Sequence, residues 1–341
     1  MTRSPGLCTH DRSGWPVTCL DSAALRVECL PGKGCDVLSV RPWDGPEVLW
    51  STPWGVRPRG AASGGGDDRE VLMEQYAGGW QTMFPQLGAA SSSYGVTWSM
   101  HGEAWLAPFE VLASGVTATG AWLEAQTRLV RSPFRLRKRV EVDGSAVTVT
   151  EEVTHEGGHD IEVRWGQHPA FSPALLGPRA RVTSSATRIE VDPDRDTAAA
   201  DLRLGAASPW PHAVGRDGQP VDLQPVPPLD ARVDRMLYLT GFPDDGAWVR
   251  LRDPDAGVAV TLSWDTAAMP YAWYWFENHA TPDFPWYAGV RTLALEPATS
   301  PPGGVPMRVA PGERRVHAVR LDVTTDPVTT DPVTNGPPDE R

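Results

Sequence analysis

Two titratable residues end apolar runs and are followed by proline, where partial burial adjusts pKa values for proton transfer. Glu296 follows LAL (293–295) and precedes Pro297, and His168 precedes Pro169 in RWGQHPAFSPALL. An inward-facing glutamate without a partner is costly. An inward Glu296 therefore predicts a functional site.

A third stretch of the same kind combines GGWQTMFPQLG (78–88) with SMHGEAW (99–105), which contains His101. Each of the three stretches, taken singly, is also compatible with a structural residue whose polar atoms are satisfied. Their occurrence together favours a site.

The sequence THEGGHD (154–160) contains the H-E-x-x-H pattern of zinc peptidases. Two histidines four positions apart bind one ion only from a helix, where both lie on one face. The flanking residues SAVTVTEEVT and DIEVRW are β-branched and alternating, which predicts strands. Gly157-Gly158 then predicts a hairpin turn with exposed histidines. We expect no metal site here.

The remaining sequence predicts the elements that hold these residues. Short alternating runs separated by D-G and other glycine-containing turns recur along the chain, and no amphipathic helix of twelve or more residues is found. This pattern predicts an all-β protein, a large antiparallel sandwich. No phosphate-binding glycine loop, dinucleotide-binding motif or G-x-S-x-G nucleophile motif occurs.

Composition bounds the function further. The net charge of −12 argues against a nucleic-acid partner. No run approaches the ~20 apolar residues of a membrane span, and the N-terminus lacks the apolar segment of a secretion signal. We therefore expect a cytoplasmic protein without a membrane partner. Oligomeric state stays open.

The chain is expected to form one sandwich domain over residues 1–321. It would contain a flexible glycine-rich loop at 57–70 and end in a disordered tail at 322–341, where T-T-D-P-V repeats. The four cysteines fall within the first 35 residues and fit no C-x-x-C pattern, so we expect reduced thiols.

Tryptophan is unusually frequent, with 15 Trp against 7 Phe and 6 Tyr. The indoles either fill the core of a large sandwich or stack on the C–H faces of a sugar ligand. Composition leaves both interpretations open.

The three stretches resemble motifs of the aldose 1-epimerase (galactose mutarotase-like) superfamily. GGWQTMFPQLG is similar to G-G-I-P-x-x-F-P-x-x-G, HGEAW to H-G-F-A-R, QHPAF to H-P-Y-F, and LEPATS to the strand with the catalytic glutamate. The resemblance covers residues 20 to 322. It implies a β-supersandwich that interconverts sugar anomers without a cofactor.

The resemblance also implies roles for individual residues. Glu296 would be the base and His168 the acid, and His101 would hydrogen-bond the ring oxygen or a neighbouring hydroxyl. Asp234 would hold sugar hydroxyls. Positions that are arginine in the phosphosugar branch are Ala77 and Trp105 here.

Without these arginines a phosphate lacks its bidentate partners, so a neutral sugar, stacked on Trp80 or Trp105, is expected. Glu103 in HGEAW would lie near the site and recognise further groups. Two alternatives stay open. The first is a non-catalytic carbohydrate-binding protein on the same fold. The second is a lyase or hydrolase; hydrolysis would need paired carboxylates such as Glu103 and Glu296.

Overall fold

The computed structural model describes residues 3–325. Its regular structure is almost entirely β, apart from helix α1 (Asp68–Gln75) and two short 3-10 turns (Ala104–Leu106 and Pro173–Leu175). The strands, in chain order, are β1 (Gly6–Arg12), β2 (Trp15–Asp21), β3 (Leu25–Leu30), β4 (Asp36–Pro42), β5 (Trp80–Met83), β6 (Ser91–Ser93), β7 (Val96–Trp98), β8 (Glu110–Val116), β9 (Gly120–Arg128), β10 (Phe134–Asp143), β11 (Ala146–His155), β12 (Ile161–Val163), β13 (Gly166–Phe171), β14 (Arg181–Ser184), β15 (Arg188–Val191), β16 (Ala207–Pro209), β17 (His212–Val214), β18 (Pro220–Asp222), β19 (Val233–Thr240), β20 (Ala247–Asp253), β21 (Val258–Trp264), β22 (Tyr271–Asn278), β23 (Arg291–Ala298), β24 (Met307–Val309) and β25 (Arg314–Thr325).

Two large antiparallel sheets form the molecule. The first has eleven strands in the order β1-β2-β3-β4-β5-β13-β23-β22-β19-β15-β16, and the second has eight in the order β14-β20-β21-β25-β11-β10-β9-β8. A main hydrophobic core contains residues from both sheets, such as Leu295 of β23 and Val149 of β11. The predicted all-β antiparallel sandwich is confirmed.

Strands of the eight-stranded sheet and central strands of the eleven-stranded sheet differ in burial. In β10 and β11 buried and more exposed residues alternate, because one face packs on the core and the other meets solvent. Every residue of β13 and β23 is buried. The core covers one face of these central strands, and a separate set of residues covers the other.

A buried ionic cluster links the two sheets. The Nζ atom of Lys138 (β10) donates to Oγ1 of Thr82 (β5) at 2.9 Å and lies 3.5 Å from Oε1 of Glu151 (β11). Trp165 and His317 reach the other oxygen of Glu151 at 2.8 and 3.3 Å. Burial opposes ionisation of Glu151, but Lys138 and His317 outweigh it and lower its pKa to about 2.

Helix α1 begins inside the segment predicted as a flexible loop. The side chain of Asp67 accepts from the amide of Glu70 at 2.8 Å and caps the helix, so residues 68–70 are helical rather than part of a loop. No helix in residues 3–325 is long and apolar enough to cross a membrane.

The predicted boundary at residue 322 is also wrong, because β25 continues to Thr325. Asp322 to Thr325 pair with β21, and the alternation of β-branched residues extends the ladder to this point. The remainder of the predicted tail, 326–341, lies outside the described residues.

THEGGHD is non-helical, as the strand pattern predicts, but it does not form a hairpin. His155 ends β11, whereas β12 begins at Ile161 and pairs with β24. The ring of His155 is buried 4.8 Å from that of Phe134, and only His159 is exposed. The expectation of two exposed histidines is wrong for His155, because its ring fills a gap in the core.

Candidate active site

A cavity of about 340 Å³ lies on the face of the eleven-stranded sheet opposite the main core. Alternation along β23 sets this arrangement, since Leu293 and Leu295 belong to the core while Glu296 lines the cavity. The volume is within the range of small-molecule sites, about 300–1,000 Å³. The cavity floor comes from central strands, and α1 together with residues 279–290 covers it.

Glu296 and His168 meet on this floor. Glu296 pairs with Trp273 across β22 and is 1% exposed. Its Oε1 atom is 3.4 Å from Nε2 of His168. Its Oε2 atom is buried and has no hydrogen-bond partner among the described residues. A buried carboxylate oxygen without a partner is the feature expected where a ligand supplies the missing hydrogen bond.

His168 is held from two sides. It pairs with Gln81 across β5, and the hydroxyl of Tyr76 lies 3.4 Å from its Nδ1 atom. The Tyr76 ring meets the imidazole edge-on at 5.6 Å. Because the hydroxyl occupies the Nδ1 side, the Nε2 atom faces Glu296.

Burial brings both groups toward their neutral forms. It raises the pKa of Glu296 well above 4.5 and lowers the pKa of His168 to about 4. Burial therefore favours the neutral arrangement of the pair, a carboxylic acid beside a basic imidazole nitrogen. The carboxylate with an imidazolium contains the same number of protons, and the two states differ by one transfer across the 3.4 Å contact.

His101 reaches the cavity from a turn in a left-handed conformation. Its φ is 60° and that of Gly102 is 81°. The Nδ1 atom accepts from the amide of Gly88 at 3.3 Å, and the ring lies 5.6 Å from that of His168. Burial and the neighbouring His168 lower the pKa of His101 to about 3, so it is neutral at pH 7.

Aromatic side chains form much of the remaining wall. The indoles that line the cavity are Trp105, Trp273, Trp275 and Trp286. Trp54 stacks on Trp286 with 5.7 Å between ring centroids and an angle of 8°. Other tryptophans, including Trp80 and Trp264, fill the core, as the first interpretation of the tryptophan content predicts. Stacking of the cavity indoles on a sugar stays a prediction.

Comparison with known proteins identifies solved structures that share this architecture. No protein-family model matches the chain, and no curated protein matches it in sequence. Solved structures match over nearly its full length. A candidate aldose 1-epimerase from Klebsiella pneumoniae has a TM-score of 0.71 at 12% identity, covering 95% of this chain and 85% of its own. One from Escherichia coli K12 has a TM-score of 0.61 at 17% identity, covering 94% and 100%.

A galactose mutarotase-like protein from Clostridium acetobutylicum has a TM-score of 0.67 at 12% identity, covering 94% of this chain and 99% of its own. The chain has the galactose mutarotase-like fold. The predicted resemblance is confirmed at the level of fold. At identities this low, the roles of individual residues cannot be transferred from the solved structures. The site of this chain is therefore described from its own geometry.

The cavity contains four of the six predicted site residues. Glu296, His168, His101 and Trp105 line it, and Trp80 and Asp234 do not. Trp80 is 0% exposed within the main core, and its Nε1 donates to Gln167. No sugar can stack on its face.

Asp234 is already bound by protein groups. Its carboxylate accepts two hydrogen bonds from Arg195, at 2.9 and 3.1 Å, and one from Thr197 at 3.0 Å. It is 1% exposed and lies behind Arg195, which itself lines the cavity. The predicted sugar contact by Asp234 is not formed, because this ion pair uses its oxygens.

Glu103 also lies outside the cavity lining. Its carboxylate accepts from the amides of Val130 and Arg131 at 3.2 and 2.9 Å and from the hydroxyl of Ser132 at 2.7 Å. It stabilises this turn instead of facing Glu296. The Glu103–Glu296 pair given as an example for hydrolysis is therefore not formed, and the other carboxylates of the cavity lining are those of Asp192 and Asp194.

Several lining residues of the mutarotase-like site were missed from sequence. Arg69 of α1 contacts the carbonyl of Phe284 at 3.5 Å, and Asp192 accepts from the amides of Asp194 and Arg195, both at 2.8 Å. Their sequence context gives no periodic signal, since Arg69 falls in the segment predicted as a flexible loop and Asp192 directly follows β15. Tyr76, by contrast, is an aromatic residue directly before AGG, a signal that could have been used.

Proposed function

We propose that the protein is an isomerase of the aldose 1-epimerase type that interconverts the anomers of a neutral sugar. The observation that carries the proposal is the buried pair of Glu296 and His168, 3.4 Å apart on the floor of a ligand-sized cavity. Within this cavity lining, the pair supplies both an acid and a base. Anomer exchange requires those two groups and no cofactor.

The chemistry balances with one proton. Ring opening removes the proton of the anomeric hydroxyl, places a proton on the ring oxygen, breaks the bond from that oxygen to the anomeric carbon and forms a carbonyl. After the carbonyl carbon rotates, the same steps in reverse close the ring on its other face. Whichever of Glu296 and His168 carries the proton acts as the acid, and the other acts as the base.

The charges in the cavity support an unphosphorylated substrate. The guanidinium of Arg195 is neutralised by its bidentate contact with Asp234. Arg69 lies exposed at the cavity margin. A phosphate dianion is normally held by several charge-assisted hydrogen bonds, whereas the indoles of Trp105, Trp273 and Trp275 suit the C–H face of a neutral ring.

His101 is proposed to hydrogen-bond the ring oxygen or an adjacent hydroxyl. It is neutral, and Gly88 donates to its Nδ1 atom. A neutral imidazole that accepts at Nδ1 carries its proton on Nε2, which is then a donor for a sugar oxygen. Trp105 is proposed to contact the sugar as part of the wall.

The test is anomer exchange by NMR on freshly dissolved sugars, with neutral hexoses, a uronic acid and a sugar phosphate in separate tubes containing EDTA. We expect acceleration for at least one neutral sugar. Glu296→Gln should reduce the rate about 10²- to 10⁴-fold, the usual contribution of acid–base catalysis. Glu103→Gln is the matched control, because this glutamate caps a turn outside the cavity lining.

Each outcome distinguishes the candidates. Full activity in Glu296→Gln would refute the assigned pair. Sugar binding without acceleration in the wild type would indicate the carbohydrate-binding alternative. A preference for the sugar phosphate would refute the neutral substrate class and implicate Arg69 and Arg195.

A further inference from the structure

A cluster of metal-ligating side chains lies on β1, β2 and β3, at one edge of the eleven-stranded sheet and outside the cavity. His10, Cys19 and Glu28 each place one ligating atom so that the three atoms lie within 4.8 Å of one another. The Nε2 atom of His10 is 3.2 Å from Oε1 of Glu28. Nothing in the acid–base chemistry of the cavity uses these residues.

The strand register adds a second thiol. Cys8 lies directly opposite Cys19, and Cys19 lies directly opposite Glu28. Side chains at directly opposed positions of antiparallel strands project to the same face. The register therefore places the Cys8 thiol beside Cys19 on the face that also carries His10 and Glu28. The edge cluster is defined as Cys8, His10, Cys19 and Glu28.

The donor set of the edge cluster has a clear preference. Thiolate, imidazole and carboxylate are the ligands of tetrahedral zinc. Bonds of about 2.0–2.3 Å place tetrahedral donors roughly 3.3–3.8 Å apart. His10 and Glu28 are already near this separation, and the Cys19 sulfur lies within 4.8 Å of both donor atoms. Cys8 and His10 are exposed, so an ion can enter from solvent.

Neighbouring charges are compatible with a bound cation. Two thiolates and one carboxylate contribute three negative charges, and a divalent ion offsets two of them. Arg12 lies 3.3 Å from the second oxygen of Glu28 and offsets the third. Arg26 is paired with Asp21 at 2.8 Å, so its charge is already balanced.

We propose that the edge cluster binds a thiophilic divalent cation of the zinc type. The ion joins the outermost strand, β1, to β2 and β3. An edge strand has only one neighbour, and its free backbone groups are exposed to pairing with other chains. A metal that fixes β1 to the next two strands stabilises this edge against fraying.

The experiment is a Co²⁺ titration of the reduced, full-length protein, followed by displacement with Zn²⁺. We expect one equivalent of Co²⁺ with a thiolate-to-cobalt charge-transfer absorption. Cys19→Ser should abolish cobalt binding and with it the absorption, because Cys19 lies opposite both Cys8 and Glu28 and belongs to the three-donor group. Cys8→Ser should keep cobalt bound and reduce the absorption by about half, because one of two thiolates is removed. His10→Ala and Glu28→Gln should weaken binding more than about tenfold.

Two controls separate this site from other histidines and cysteines. His159→Ala removes an exposed histidine of the H-E-x-x-H sequence, and Cys29→Ala removes a thiol that faces the main core. Both should keep one equivalent with unchanged absorption. His10→Ala alters an exposed side chain, so its result does not depend on whether Cys19→Ser folds.

The outcomes that would overturn the proposal are defined by the same titration. One is cobalt binding without charge-transfer absorption. The other is an absorption in both Cys19→Ser and His10→Ala that equals that of the wild type. A protein that loses two free thiols in air, yet binds no cobalt once reduced, would assign Cys8 and Cys19 to a disulfide instead. Zn²⁺ should raise the melting temperature of the wild type and leave that of His10→Ala unchanged.

Discussion

Glu296 and His168 differ from an ordinary ion pair because burial opposes the charged form of each. Burial raises the pKa of Glu296 and lowers that of His168, so the arrangement of a carboxylic acid beside a neutral imidazole is favoured. Such a pair titrates as a unit, and its apparent pKa values belong to both residues. The number of protons on the pair therefore decides whether it is active.

This coupling predicts the pH dependence of anomer exchange. Below about pH 4, the pKa of His168, the pair takes up a second proton and loses its base. Above the raised pKa of Glu296, the pair loses its only proton and has no acid. We expect kcat/KM to be flat between these limits and to fall on both sides.

The measurement is the rate of anomer exchange in a constant-ionic-strength buffer series, with the buffer-catalysed rate subtracted at each pH. A single transition near 6.5, the ordinary pKa of histidine, would contradict the coupled pair. Glu103→Gln should reproduce the wild-type profile, because Glu103 does not line the cavity.

Sequence identified the chemistry of the site better than its boundary. Glu296, His168 and His101 were predicted because each adjoins a proline or a glycine at the end of an apolar run. Trp80 and Gln81 are neighbours on β5, and both are buried. Only the register of β5 against β13 decides that Gln81 faces the cavity and Trp80 the core. A strand buried on both faces shows no alternation from which to predict this.

At the scale of the elements, glycines hold the cavity strands close to their neighbours. A Cβ at Gly78 would lie 2.4 Å from the carbonyl oxygen of Trp50, and one at Gly79 would lie 2.5 Å from that of Val37. Both residues have positive φ, 79° and 89°. The G-G pair is thus required by close backbone approach before β5. Sequence alone showed the pair without showing this cause.

Substitution of Gly102 should lower activity by more than the cost of its left-handed backbone conformation explains. A Cβ there would lie 2.2 Å from the carbonyl oxygen of Phe84, so Gly102→Ala must displace the turn that carries His101. We expect anomer exchange to fall at least about tenfold, since small displacements of positioning groups are costly. The checks are the exchange rate and the thermal melting temperature.

Gly95→Ala is the matched control for this change. Its φ is 77°, against 81° at Gly102, and a Cβ there would meet no atom within 4 Å. Both variants carry the cost of a left-handed alanine, about 1–2 kcal/mol. Equal losses of activity in the two would contradict the positioning role of the Gly102 turn.

At the scale of the whole molecule, the two large sheets are joined by a hydrophobic core and by a buried cluster of charged side chains. Sequence predicted the sandwich because strands and turns recur at short intervals, and the solved structures with this fold agree. It did not predict the ionic cluster. Lys138 occupies an inward position in the basic run RSPFRLRKR (131–139), whereas Arg135 and Arg137 lie at more exposed positions of β10.

We expect Lys138→Met to cause a large loss of stability. The substitution leaves Glu151 buried without its ammonium partner, which costs about 3–5 kcal/mol in similar cases. Arg137→Met is the control on the same strand, because its pair with Glu124 is half exposed and is worth about 0–1 kcal/mol. Urea unfolding at pH 7 gives the free energy of unfolding of both variants. Equal losses would show that the buried pair contributes no more to stability than the exposed one.

The same cluster sets a pH dependence of unfolding. Glu151 has a pKa of about 2 in the folded protein, below the ordinary value of 4.5. Its contribution to stability is fully present above about pH 4.5 and is lost as the pH falls toward 2. Lys138→Met should remove this part of the acid dependence, since the depressed pKa depends on the ammonium group.

The division of the cavity between central strands and covering segments has a consequence for motion. Amides in the middle of a large sheet exchange with solvent only when the molecule unfolds, whereas short surface segments open locally at much lower free energy. The reacting side chains lie on β13 and β23, and the cover is an eight-residue helix with one connecting loop. If the protein is the proposed isomerase, we expect sugar entry and proton transfer to occur on different timescales, with local opening of the cover leaving the separation between Glu296 and His168 unchanged.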